Sequence, residues 1–268
     1  MPNSYLFVRR VDNGSISAGS EVRLSYDYLP GKVDSQQHIP MAYGEPLYYE
    51  FMDLVVANMA RAFPNITMLH LNHDEIRGMA RDSRSLRLGL SNAELLARDI
   101  NALQRSVTKH MGENGRLILW DDMVNPDHNG NQTSYQWWEG GGRAQTTDGA
   151  LLRKLVDPRV VWVSWAYCTS VEDYQTVADA PELFQTHGYD WLAGPYTPTA
   201  SVLMWAKAIQ AAKAEGSHAL GILDVQFAYP PAADVRQFGN IPAVGAAGWN
   251  VAAFIANPGP IRNVSGCA

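Results

Sequence analysis

Two stretches of this chain place carboxylates where an apolar run ends. Ile66 to Leu71 reads as a buried strand and runs into Asn72, His73, Asp74 and Glu75. Leu117-Ile-Leu-Trp120 reads as a second and ends in Asp121-Asp122. Carboxylates this close to a core must be paired, hydrogen-bonded or shifted in pKa. Held in that way, an acid pair can work as general acid and base. The plainer alternative for Asp74 and Glu75 is a helix N-cap that complements a helix dipole. Asp27 closes a further run, Val22 to Tyr26, just before the stop signal Pro30-Gly31. Aromatic residues crowd other strand ends as Trp165, Tyr167 and Tyr196, and Asp224 to Gln226 follows the last clear strand. Tryptophan and tyrosine combine a flat apolar face with a polar handle, which suits a sugar ring as well as ordinary packing.

A metal site built on His70, His73 and Asp74, with Asp127-His128 further on, is the competing chemistry. Residues three apart on a strand point to opposite faces, and no His-Glu-x-x-His occurs, so no metal and no cofactor is expected. His70 reads instead as a core histidine that orients a carboxylate. Arg77, Arg81 and Arg84 follow the acid pair on a polar loop. Salt bridges to Asp82 and neighbouring acids are the preferred reading, ahead of a bidentate grip on a carboxylate or sulfate carried by the sugar. Trp137-Trp138 lie in a loop after the Leu117 strand, either closing over a ligand or buried beneath the loop.

The elements that must carry these groups alternate along the chain. Leu47, Phe51, Leu54, Val55, Met59 and Ala62 describe one apolar helical face. Ser91-Asn-Ala-Glu94 is a capping box for a helix with the stripe Leu96, Ile100, Leu103, Val107 and Met111. Further helices are expected at about 149–155, 171–186 and 201–215, each followed by an apolar strand. Parallel strands begin at Val22, Ile66, Leu117, Val160, Trp191 and Ala219. Strand–helix alternation of this kind predicts an α/β fold, a (β/α)8-type (TIM) barrel with about six recognisable parallel strands, complete or incomplete. No glycine-rich phosphate loop follows the first strand, which argues against a dinucleotide fold. In a barrel all these strand ends face one mouth, where active sites lie.

Bulk properties narrow the function classes. A chain of 268 residues suits one α/β-barrel domain, with only the first two strand positions doubtful. Hydrophobic residues make up 46% and charged residues 18%, enough for a sizeable core. The formal charge of −6 without a basic segment argues against nucleic acid. No apolar run is long enough to span a membrane, and Met1-Pro-Asn-Ser-Tyr lacks the regions of a secretory leader. Two cysteines, Cys168 and Cys267, form no disulfide framework. Compartment and oligomeric state stay open.

Taken together, the strand ends resemble glycoside hydrolase family 20, the β-N-acetylhexosaminidases. The family's fourth strand carries His-x-Gly-Gly-Asp-Glu, where this chain has His70-Leu71-Asn72-His73-Asp74-Glu75. Its fifth strand ends in Trp-Asp with another acid, as Trp120-Asp121-Asp122 does, and its third runs into an acid and Pro-Gly, as Asp27-Tyr28-Leu29-Pro30-Gly31 does. The units from Val22 to Leu223 follow the order of strands three to eight. The resemblance implies Glu75 as general acid and Asp74 as the group that steers the substrate's acetamido arm, whose carbonyl oxygen serves as nucleophile. It implies a carbohydrate substrate, with Asp27, His73, Trp120, Asp121, Asp122, Trp165, Tyr167 and Tyr196 lining its pocket. The chain departs from the pattern at Asn72-His73, which replace Gly-Gly. It departs again after Tyr196, where no Tyr-x-Asp stands, and at Val225-Gln226-Phe227, where the family has tryptophan. Two alternatives stay open: a glycosidase pairing Glu75 with Asp121 or Asp122, and a carbohydrate-binding barrel without turnover.

Overall fold

The computed structural model describes residues 42–76, 79, 82–131, 147–167, 171–196, 199–225 and 241–258, together with Ser17. The chain divides into two compact units, Met1–Gln37 and His38–Ala268, and every described residue except Ser17 belongs to the second. The expected strand at Val22, with Asp27 at its end, lies outside the described residues.

Helices and strands alternate through the second unit. They run α1 (Pro46–Ala62), β1 (Met68–His70), α2 (Ser83–Arg87), α3 (Asn92–Met111), β2 (Arg116–Trp120), α4 (Gly149–Leu155) and β3 (Val161–Trp165). They continue as α5 (Val171–Gln185), β4 (Trp191–Gly194), α6 (Thr199–Ala214), β5 (Ala219–Ile222), α7 (Ile241–Trp249) and α8 (Val251–Ala256). The strands form one five-stranded sheet in the order β1-β2-β3-β4-β5, with every pair parallel. Parallel neighbours need long crossovers, and the helices between them supply these. The order never reverses among the described strands.

Local signals set most boundaries. Ser91 and Glu94 close the capping box at the start of α3, with Ser91 N donating to Glu94 Oε2 at 2.9 Å. Asp82 and Asp148 cap α2 and α4 by accepting backbone N–H groups. Gly112 and Gly216 end α3 and α6 at φ 85° and 84°, a conformation that favours glycine. Asp82 therefore acts as a cap. Arg84 pairs with Glu45, and Arg77 and Arg81 lie outside the described residues.

Period-two alternation splits the sheet into two faces. Leu117 and Leu119 of β2, Trp162 of β3 and Trp191 and Ala193 of β4 join the main core with the helices, including the α3 stripe Leu96, Ile100, Leu103 and Val107. Ile118, Val161 and Val163 form a separate cluster on the other face, with Trp120, Leu192 and Leu223 against it. At the edge of β2, the buried Gln104 of α3 donates to Gly115 O and accepts from Leu117 N, each at 2.8 Å, and so clips helix to strand.

α1 packs differently from its expected stripe. Tyr48 and Val56 are buried, with Tyr49, Met52 and Met59 against the core, while Leu47, Phe51 and Leu54 are 65%, 54% and 56% exposed. The helix is apolar on two faces, so periodicity alone cannot choose between them. Asp53 makes the choice: it accepts from Ser106 Oγ and Lys109 Nζ of α3, each at 2.7 Å, and contacts His110 Nε2 at 3.0 Å. At the other end, Val244, Ala247 and Phe254 of α7 and α8 pack on Val202 and Ala206 of α6.

Candidate active site

Parallel strands end on one side of a sheet, and the singled-out residues on the described strands follow those ends directly. Asp74 and Glu75 come after β1, Asp121 and Asp122 after β2, Tyr167 after β3 and Tyr196 after β4, while Trp120 and Trp165 are the last residues of β2 and β3. Their convergence has an electrostatic signature. The Tyr167 hydroxyl has its pKa raised well above the usual value, first by burial and then by the charges of Asp122, Asp74, Glu75 and Asp121. Carboxylates that follow two different strands thus act on one phenol.

The chain leaves β1 through an unusual turn. Asn72, His73 and Glu75 all have positive φ, at 62°, 69° and 37°. Outside glycine such backbone costs about 1–3 kcal/mol per residue and persists only where surroundings over-determine it. The tether here is His73. Its Nδ1 lies 2.9 Å from Leu71 O and its Nε2 lies 2.7 Å from Asp99 Oδ2. Asp99 is fully buried on α3, within the apolar stripe that carries Leu96 and Ile100. Burial alone would lower the His73 pKa, but the hydrogen bond and charge of Asp99 outweigh it and raise the value. Carboxylate orientation therefore belongs to His73 and not to His70. The His70 Nδ1 accepts from Asn72 N at 3.2 Å and its ring stands edge-on to Trp120 with centroids 5.1 Å apart. Burial lowers the His70 imidazole to about 4.

Asp121 and Asp122 are buried polar anchors. Asp121 Oδ2 accepts from Asn125 Nδ2 at 2.7 Å, and Asp122 Oδ2 accepts from Trp165 Nε1 at 3.0 Å. Burial pushes the Asp121 carboxyl up to about 6. His128 Nδ1 stands 4.0 Å from Asp122 Oδ1, and the neighbouring carboxylates of Asp122 and Asp121 raise its pKa against the opposing effect of burial. Among the described residues, Asp121, Asp122 and His128 are the group whose donor atoms could hold a metal ion, all lying within 4.8 Å of one another. His128 would have to give up its proton first, because only neutral imidazole ligates.

An aromatic wall rises from this base. Trp165 is 6% exposed, with His128 edge-on at 4.2 Å and Tyr167 stacked at 4.8 Å. Its indole is therefore covered by protein, and the ring expected to face a sugar supports Tyr167 instead. Tyr196 meets Tyr167 edge-on at 5.6 Å. Trp120 lies over Gly194, where a Cβ would come within 3.1 Å of its Cζ3.

Among the described residues, two surface depressions lie away from these strand ends, between α1 and α3 around Asp53 and between α5 and α6 around Pro181. Trp137, Trp138, Cys168, Gln226 and Phe227 fall outside the described residues. No helix among the described residues is long and apolar enough to cross a membrane. Asp99 is the site residue that sequence reasoning passed over. A charged side chain inside the α3 apolar stripe was the available signal, since buried aspartate needs a partner. No protein-family model matches the chain, and no curated protein matches it significantly.

Proposed function

We propose that the protein is a glycoside hydrolase, with Glu75 as general acid and Asp74 as the carboxylate that orients the substrate. The reading extends to a β-linked N-acetylhexosaminide, cleaved with retention by its own acetamido oxygen. In that scheme Asp74 steers the acetamido nitrogen and stabilises the positive charge of the cyclic intermediate. Tyr196 donates to the acetamido carbonyl oxygen, and Trp120 and Tyr167 offer apolar faces to the ring.

The single observation that carries this reading is the grouping of Asp74, Glu75, Asp121 and Asp122 around Tyr167, beside an aromatic wall. Two further features support it. Asn72 and His73 hold positive φ at the positions where the resembling family carries glycine, the residue best suited to that backbone. The unreversed strand order and the second apolar cluster on the sheet's other face fit strands four to eight of a (β/α)8 barrel.

The test is release of nitrophenol from aryl N-acetylglucosaminides and from plain aryl glycosides. Glu75→Gln should abolish turnover while the fold is kept. Asp74→Asn should lose more rate on the N-acetyl substrate than on the plain glycoside. Equal losses on both substrates would rule out acetamido assistance, and wild-type activity unaffected by Glu75→Gln would rule out the assignment altogether.

A further inference from the structure

A carbonyl oxygen can only accept, so the contact with Leu71 O requires a proton on His73 Nδ1. Nε2 then faces Asp99 Oδ2 at 2.7 Å, the length of a charge-assisted bond. With an acceptor at each ring nitrogen, His73 is placed as an imidazolium, pinned at both ends one residue before Asp74.

We propose that His73 and Asp99 form a positioning pair for Asp74 and Glu75, in which a protonated imidazole clamped between Leu71 O and Asp99 locks the left-handed turn and holds positive charge beneath the acid pair. The inference rests on the reading of Asp74 and Glu75 as the catalytic carboxylates. A left-handed residue that served backbone shape alone would be best filled by glycine. A histidine in that place gains nothing from its conformation; its two ring contacts repay the strain. The clamp also reaches from the strand end to the middle of α3, so it ties the turn to a helix whose inner face is buried.

The groups that face the imidazole, among the described residues, come from each element around it. Asp99 approaches from α3, Asp74 from the turn itself and His70 from β1, the last made less basic first by burial and further by the His73 charge. Behind Asp99 stand Tyr43, Tyr48 and Tyr49, each hydroxyl raised first by burial and then by the Asp99 charge. These phenols stay neutral through the working pH range, so Asp99 carries the charge on that side of the ring.

Three variants separate clamp from backbone. His73→Gly keeps the left-handed turn and removes the clamp. It should retain the fold yet lose kcat on the order of a hundredfold, the scale of a misplaced reacting group, with KM little changed. Added imidazole should restore part of that loss. Asp99→Asn keeps a hydrogen-bonding side chain and removes the charge, so His73 loses its proton at lower pH and the alkaline limb of kcat/KM moves to lower pH. Glu75→Gln, measured beside them, reports on the parent reading. If wild-type turnover is absent or independent of Glu75, the catalytic assignment falls and the positioning role falls with it. If turnover depends on Glu75 but His73→Gly and Asp99→Asn keep wild-type kcat and pH profile, the positioning pair alone is overturned.

Discussion

Trp165 Nε1 donates to Asp122 Oδ2 across 3.0 Å, and this bond joins the end of β3 to the chain leaving β2. Tyr167 stacks on the same indole and Tyr196 meets Tyr167 at its edge. The proposed sugar-facing wall is thus seated on a buried hydrogen bond between neighbouring strands. Asp122→Ala leaves the indole N–H without its acceptor, a loss of about 1–3 kcal/mol, and frees the ring that supports Tyr167. The expected outcome is lower stability in denaturant titration together with a raised KM. Asp122→Asn keeps an acceptor oxygen and should lie between wild type and Asp122→Ala in both measurements.

Gly194 makes the corresponding prediction from the opposite side of the wall. A Cβ there would stand 3.1 Å from both Trp120 Cζ3 and Val163 Cγ1. The contact is tight, so Gly194→Ala forces a small shift and Gly194→Val a large one. Overpacking of this kind costs about 1–3 kcal/mol. The shift should appear as altered near-ultraviolet circular dichroism from Trp120, with KM rising more steeply for Val than for Ala. Unchanged spectra and kinetics in Gly194→Val would show that Trp120 does not touch this position.

Much of the architecture could be read from patterns that depend on nearby residues. The Ser91–Glu94 box, the apolar stripe of α3 and the short strands ending at Trp120 and Trp165 all appear where local spacing puts them. What failed was the choice of face on α1, where apolar residues occupy both sides and Asp53, paired with α3, decides the rotation. The site divides along the same line. Asp74, Glu75, Trp120, Asp121 and Asp122 announce themselves by standing at the ends of apolar runs. Asp99 does not, because its partner His73 lies 26 residues away in sequence. Trp165 shows the same limit, since no local pattern tells a ring that faces a ligand from one that carries its neighbour.

Asp53 offers a stability prediction with a defined pH window. Hydrogen bonds from Lys109, Ser106 and His110 lower its carboxyl from 3.8 to about 2. A depressed folded value means that the stabilisation is present above the unfolded pKa and is lost as pH falls through the folded one. Asp53→Asn should therefore melt below wild type at pH 5 and above, with the gap closing between about pH 4 and pH 2. The carboxylate is 33% exposed and its partners are partly solvated, so solvent screening should keep the difference near 1 kcal/mol or less. A gap that persists unchanged at pH 2 would mean that the loss does not come from the Asp53 charge.

Asp121 should behave with the opposite sign. It is fully buried, and burial raises its carboxyl from 3.8 to about 6. An acid whose folded pKa lies above its unfolded value favours the folded state fully below the unfolded pKa, and that advantage is lost as pH rises through the folded value. Wild type should accordingly lose stability between about pH 4 and pH 6, by roughly 3 kcal/mol from this group, at about 1.4 kcal/mol per pKa unit. Asp121→Asn removes the titration but keeps the shape and an oxygen for the Asn125 amide. Its unfolding free energy should hold level across that window and exceed the wild-type value at pH 7. The comparison also discriminates against a cation at Asp121, Asp122 and His128. Were a dication held there, Asp121→Asn would be the less stable protein at pH 7, and a chelator would lower the melting temperature of the wild type but not of the variant.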